Sequence, residues 1–335
     1  MTKTLTLPGF VNAHSHAFQR ALRGRVEGDD FWAWREAMLA EAEKLTPERV
    51  AELYEATFRE MVAAGYTAVG EFHYAGREEA EAAIGAAAAA GIELVLIAVA
   101  YARGGLARFR QHSVDAYLEW IAELRARGGE VALAAHSVRA CPAEWLEAIG
   151  AYARRERLPL HVHAGEQPLE IEECLAEHGC RPVELLDRLG CLGPQTTVVH
   201  ATHANDAELD LIASSGAAVC LCPTTEANLG DGFPPLAGMV ERGIPLCIGS
   251  DSNVRIDPLE ELRELEGIAR RQLLRRNVIP PDALLELGTA GGARSLGLAG
   301  WPPITVDLEH RSLAGVAEAE VPAALVFGCG AEVVA

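Results

Sequence analysis

Histidine is the residue whose placement stands out in this sequence. Two of the eleven histidines form the triplet His14-Ser15-His16. In a strand, residues two apart point to the same face with Cα atoms about 7 Å apart, a separation from which two imidazoles converge on one cation. An exposed polar strand end explains such a pair equally well. His163 offers a third imidazole, and Asp251, within Gly249-Ser250-Asp251-Ser252, offers a carboxylate. Neutral imidazoles with one carboxylate suit Zn2+, with Fe2+ as the alternative, because ligand type alone does not separate the two. Glu166 follows His163 by three residues, where a carboxylate can shuttle protons for an activated water without ligating the cation. Most glutamates in loops are simply solvated; the neighbouring His163 is what favours a role here. Of His200 and His203, in His200-Ala201-Thr202-His203, one is placed to hydrogen-bond an attacking water and the other to support it. His161 shares a face with His163 and reads as a packed supporting histidine.

The elements that must position these residues follow a repeating pattern. A short apolar or β-branched run is followed by a polar cluster, then by an amphipathic stretch rich in Ala, Glu, Arg and Leu. The pattern predicts strands over Gly9–His14, Thr67–Phe72, Glu93–Ala100, Val131–His136, Leu158–His163, Thr197–His200, Ala217–Cys222 and Leu246–Gly249. Helical periodicity falls between them, over Pro47–Ala64, Arg77–Ala90, Ser113–Arg127, Ala143–Arg155, Ala207–Ser214 and Leu259–Arg276. Eight alternating units predict an α/β protein of (β/α)8 TIM-barrel type. No GxGxxG opens the first helix and no phosphate-binding loop is present, which disfavours an open doubly wound sheet. Eight histidines fall at the ends of expected strands: His14, His16, His73, His136, His161, His163, His200 and His203. Barrel active sites lie at those ends. Gly300-Trp301-Pro302-Pro303 is a breaker, and the tail Ile304–Ala335 reads as short strands and turns. The expected organisation is a barrel over residues 8–298, with 1–7 and 299–335 forming a reduced small β appendage.

Composition bounds the function classes. Twenty-nine Lys and Arg against 48 Asp and Glu give a net charge of −19, which repels nucleic-acid phosphates and anionic membrane surfaces. A small-molecule partner is expected, and a homodimer is left open. Half of the 335 residues are hydrophobic, enough for a large core. The eight cysteines form no CxxC pair and several sit in apolar runs, as in Val219-Cys220-Leu221-Cys222, so they read as buried reduced thiols. Met1–Phe10 shows no basic-then-apolar leader. The longest apolar run, Ile92–Ala102, contains Glu93 and is too short to span a bilayer. The expected location is the cytoplasm.

Pro8-Gly9-Phe10-Val11-Asn12-Ala13-His14-Ser15-His16, with His163, Glu166, His200 and Asp251, resembles the mononuclear amidohydrolase superfamily. Within it the likeness is to the formimidoylglutamate deiminases. This finer likeness rests on His16-Ala17-Phe18-Gln19-Arg20-Ala21, Phe31-Trp32-Ala33-Trp34-Arg35-Glu36, Glu71-Phe72-His73-Tyr74 and His136-Ser137-Val138-Arg139-Ala140. It continues through His163-Ala164-Gly165-Glu166-Gln167, Val199-His200-Ala201-Thr202-His203-Ala204 and Thr225-Glu226-Ala227-Asn228-Leu229-Gly230-Asp231-Gly232. The resemblance implies one divalent metal ion held by His14, His16, His163 and Asp251, with Glu166, His200 and Asp251 handling protons. It implies substrate contacts from Gln19, Arg35, Tyr74, His136 and Arg139. The implied reaction is hydrolysis of N-formimino-L-glutamate to N-formyl-L-glutamate and ammonia in histidine degradation. Two guanidiniums match the two carboxylates of that substrate. Arg139 follows the strand-end His136 by three residues, whereas Arg35 is equally well explained as a surface ion-pair partner. Members of the family usually carry a longer segment before the first barrel strand and longer closing strands, which is why the β appendage is expected to be reduced. Two rival readings share the barrel. An aminohydrolase of a nucleobase, triazine or other amidine would need groups for a flat ring in place of paired arginines. A catalytically inactive binding protein would have no use for Glu166 and Asp251 together.

Overall fold

In the computed structural model, which describes residues 3–28 and 30–334, ten strands form. They are β1 (Thr4–Pro8), β2 (Phe10–Ser15), β3 (Tyr66–His73), β4 (Glu93–Ala100), β5 (Val131–Ser137), β6 (Leu160–Ala164), β7 (Thr196–His200), β8 (Ala218–Leu221), β9 (Leu246–Ile248) and β10 (Pro303–Asp307). Strands β2 to β9 make one parallel sheet in chain order. A parallel bridge between Ser15 and Asp251 joins the last strand to the first. His16 N–H donates to the Asp251 carbonyl at 2.8 Å and Asp251 N–H to the His14 carbonyl at 3.0 Å. This is the expected eight-stranded barrel, with each expected strand present to within two residues at either end.

The strands read as apolar runs because helices cover the outside and side chains fill the inside; β2 and β6 are buried at every residue. Helix Pro47–Ala63 shows how the outer layer is specified. Thr46 caps it by accepting from Arg49 N–H, proline opens its first turn, and Val50, Tyr54, Phe58 and Met61 line the face turned to the sheet. Helix Arg77–Ala90 buries Ala80, Ala83, Ala86 and Ala87. Helix Pro258–Leu273 ends three residues before the periodicity predicted, because Leu274 adopts a left-handed φ of 50° and is 93% exposed.

One glycine sets the site directly. A Cβ on Gly249 would lie 2.7 Å from the His14 carbonyl oxygen and 2.8 Å from His14 Cβ. Only glycine lets the chain leaving β9 abut β2 and carry Asp251 in beside His14.

The ends of the chain meet beneath the barrel, where β1 and β10 pair antiparallel from Thr4 with Asp307 to Pro8 with Pro303. Met1, Thr2 and Ala335 of the expected appendage lie outside the described residues. The tail departs from the expectation of strands and turns alone, since Val321–Gly328 is a helix with Val321, Leu325 and Val326 buried. Its unbroken apolar run fits either period, and the Arg263 guanidinium accepted by the Val326 carbonyl at 2.8 Å ties it to helix Pro258–Leu273. No helix among the described residues is long and apolar enough to cross a membrane.

A carboxyl buried beside the barrel mouth supplies a stability prediction. Glu71, on β3, is fully buried; Oε1 accepts from Ala17 N–H at 2.8 Å and Oε2 has no partner. Burial pushes its pKa from the ordinary 4.5 up to about 8. The folded chain therefore holds a proton that the unfolded chain releases above pH 4.5, so this group's contribution to stability falls as pH rises towards 8 and is flat beyond. Glu71→Gln removes the titration. In urea titrations the variant should be more stable than the parent at pH 8 by roughly 1–4 kcal/mol, at about 1.4 kcal/mol per pKa unit. Parallel pH profiles for the two proteins would show that Glu71 is ionised in the fold.

Candidate active site

Four buried side chains meet at the mouth of the barrel. His14 Nε2 lies 3.1 Å from His16 Nε2 and 3.1 Å from His163 Nε2, and Asp251 Oδ1 lies 3.4 Å and 3.3 Å from the Nε2 atoms of His14 and His16. The donor atoms of all four fall within 4.8 Å of one another. Asp251 comes from the strand adjoining β2, whereas His163 reaches over from β6 on the far side of the ring. His163 Nδ1 donates to the His136 carbonyl at 2.9 Å, which leaves the Nε2 lone pair facing the cluster. Burial, then the neighbouring histidines, hold His14, His16 and His163 well below the usual imidazole pKa. Three unprotonated nitrogens and a carboxylate oxygen packed this closely repel one another unless a cation lies among them. Donor type and number fit a zinc-like divalent ion.

The backbone is strained where it presents this chemistry: His200 has φ 73°, Ala201 52° and Asp251 42°, values costly for residues with a Cβ. His200 points Nε2 towards Glu166 Oε1 and Asp251 Oδ2, each at 3.9 Å, while Nδ1 lies 3.2 Å from Glu226 Oε1. Burial disfavours a charge on this ring, but Glu166, Glu226 and Asp251 together outweigh it and raise its pKa to about 10. Burial also raises the Glu166 carboxyl, against the pull of His200. Glu166 is held by its own backbone, whose N–H donates to Glu170 at 3.2 Å. Sequence reading assigned no role to Glu226. It lies within the family-like segment Thr225–Gly232, but only the packed barrel brings it onto His200.

Three of the remaining strand-end histidines face elsewhere. His203 Nε2 donates to the Asp231 carbonyl at 2.7 Å, His161 Nε2 to the Ser295 carbonyl at 3.1 Å and His73 Nε2 to the Gly76 carbonyl at 2.8 Å. Each supports a loop or the barrel floor.

Beside the cluster opens a cavity of about 100 Å³, lined by His16, His136, His163, Glu166, His200 and Asp251 and also by Gln19, Arg35, Tyr74 and Arg139. The five expected substrate contacts thus share one space. Gln19 Nε2 donates to Tyr74 Oη at 3.3 Å, while Gln19 Oε1 is buried without a partner. Arg139 is partly buried, its Nε has no partner, and its guanidinium forms no ion pair among the described residues. Arg35 meets the exposed Glu36 at 3.4 Å and lies beside the Tyr101 hydroxyl. Trp34, from the family-like segment Phe31–Glu36, also lines the wall, as do Met38, Tyr101 and Arg103, to which the sequence assigned no role.

The amidohydrolase family model matches residues 5–300. This chain belongs to the amidohydrolase family. Among curated amidohydrolase relatives, formimidoylglutamate deiminase of Pseudomonas aeruginosa is 40% identical over 327 residues, covering 87% of this chain and 72% of the relative. The 5-methylthioadenosine/S-adenosylhomocysteine deaminase of Halobacterium salinarum is 30% identical over 306 residues, covering 88% of this chain and 69% of the relative. The solved structure of an adenosine deaminase from Xanthomonas campestris with bound zinc superposes with a TM-score of 0.89 at 26% identity, covering 99% of this chain and 78% of that one. An amidohydrolase from Brucella melitensis gives a TM-score of 0.85 at 30% identity, covering 98% and 84%. The present amidohydrolase is accordingly a hydrolase acting on C–N bonds, and both its donor cluster and its zinc-containing neighbour support a bound metal ion.

Proposed function

We propose that this amidohydrolase converts N-formimino-L-glutamate and water to N-formyl-L-glutamate and ammonia, as a cytoplasmic step of histidine degradation with zinc as the metal. The observation that carries this reading is Arg139, an uncommitted guanidinium facing the same cavity as Arg35 and the four-donor cluster, in a chain of net charge −19. Two arginines lining one pocket of an acidic protein suit a ligand that brings anions, and this substrate brings two carboxylates. The 40% identical deiminase supports the same choice.

His14, His16, His163 and Asp251 would hold the metal, which when bound supplies Lewis-acid activation of water and of the formimino carbon. Arg139 and Arg35 clamp the carboxylates and fix that carbon, with Gln19, Tyr74 and His136 shaping the wall. Asp251 turns Oδ1 to the imidazoles and Oδ2 to His200, so a single carboxylate can bind with one oxygen and accept a proton with the other. Glu166 takes a proton from water as its oxygen bonds to the carbon and the C=N bond becomes single. His200, charged and braced by Glu226, stabilises the attack. Glu166 then gives its proton to the terminal nitrogen, the proton of the new hydroxyl follows by way of Asp251 Oδ2, and the C–N bond breaks as the C=O bond forms, releasing ammonia.

Ammonia release from N-formimino-L-glutamate, S-adenosylhomocysteine, adenosine and guanine tests the reading. The formimino compound should be turned over with the highest kcat/KM; preference for any of the ring substrates would replace it with an aminohydrolase. Glu226→Gln should lower kcat roughly 10- to 100-fold, the usual cost of losing a carboxylate behind a working histidine. An unchanged kcat would mean that Glu226 serves the fold alone.

A further inference from the structure

Arg139 can clamp a carboxylate only if its own backbone is held, and the β5 ladder ends at Ser137. The next two carbonyls, of Val138 and Arg139, receive no backbone donor among the described residues. They point instead at one side chain. Arg103 Nε donates to the Arg139 carbonyl at 2.8 Å and Nη2 to the Val138 carbonyl at 3.3 Å. The same guanidinium grips Glu177 with two further bonds of 2.8 Å, Nη1 to Oε1 and Nη2 to Oε2. Backbone bonds from Ala102 and Arg103 N–H to the Ala140 carbonyl, at 2.9 and 3.0 Å, complete the seam. Glu177 lies in helix Pro168–His178, which begins directly after Glu166-Gln167. One arginine thus ties together the loop after β4, the turn after β5 and the helix after β6. A half-exposed ion pair would contribute little to stability. The fork is unusual in being spent on the carbonyls that set the direction of a neighbouring arginine.

We propose that Arg103, anchored by Glu177, is a positioning residue that holds the Arg139 guanidinium facing the substrate cavity; this rests on the dicarboxylate reading above. Guanidinium geometry suits this role, since its rigid fork presents N–H donors in separate fixed directions whereas lysine presents one compact charge. Freed of this clamp, the turn at 138–140 can rotate its peptides and carry Arg139 away from the cavity, so the ligand must pay the ordering cost on binding. The effect falls on KM and leaves kcat nearly unchanged.

The test is a double-mutant cycle of Arg103→Met and Arg139→Met. It is read by KM and kcat for N-formimino-L-glutamate and by calorimetric Kd for the product N-formyl-L-glutamate. Arg103→Met should raise KM and Kd roughly 10- to 100-fold, the scale of an ångström-sized misplacement, with kcat and thermal midpoint close to parental. In the Arg139→Met background it should add nothing. Arg139→Met with a raised KM but Arg103→Met without one overturns the proposal alone, as does the same factor in both backgrounds. Arg139→Met with a parental KM overturns the dicarboxylate reading, and this proposal with it. Should Arg103→Met not fold, Glu177→Gln asks the same question from the other end of the pair, with a smaller rise in KM expected and an unchanged KM counting against.

Discussion

Glu166→Gln lowers kcat by about a thousandfold, within the range for loss of a general acid–base group, while KM and metal content stay near parental. The expectation follows from what the substitution keeps and what it removes. Glutamine has the same shape, and the backbone that aims it is fixed by Glu170 accepting the residue 166 N–H. The cluster of His14, His16, His163 and Asp251 forms without it. What disappears is the capacity to take a proton from water and return it to the departing nitrogen. Burial favours the protonated carboxyl and His200 favours the ionised one, so the native group is poised to exchange a proton in either direction. Steady-state ammonia release with metal analysis of the same preparation checks this. A kcat within a few-fold of the parent would move the shuttle elsewhere, and the free Oδ2 of Asp251 would be the next candidate.

Arg139→Met should lower kcat/KM for N-formimino-L-glutamate by roughly 30-fold to several thousandfold. Truncating one partner of a desolvated charge pair costs about 2–5 kcal/mol, and about 1.4 kcal/mol is a factor of ten. Methionine keeps the apolar stem and removes only the guanidinium. The loss should be large because Arg139 Nε has no hydrogen-bond partner in the protein and the guanidinium feels the nearby Glu166 and Glu170 only at longer range. Arg35→Met should cost less, since Arg35 already meets Glu36. An amidine lacking the clamped carboxylate should be turned over equally by parent and Arg139→Met. Equal losses on both substrates would place the arginine in the chemistry or the fold, not in recognition.

Much of the architecture was legible in the residues themselves. Alternating apolar runs and amphipathic stretches specify a strand–helix repeat through local periodicity, and eight repeats leave a closed ring as the natural way to pair every edge. Histidines at the ends of those runs then had to collect at one mouth. The tail could not be read so well, because Val321–Gly328 is apolar on all sides and satisfies either period until helix Pro258–Leu273 packs against it.

Which strand-end residues meet was a matter for the tertiary structure. His163 and Asp251 reach His14 from opposite directions only once the ring has closed and a glycine at 249 lets two strands touch. His200 enters the cavity and His203 leaves it because the chain turns through left-handed φ at 200 and 201, a conformation stabilised by the surrounding fold. Glu226 on His200, and Arg103 behind Arg139, are contacts between segments far apart in sequence. Periodicity records how a side chain faces its own element; barrel closure and loop packing decide which other side chains it finds there.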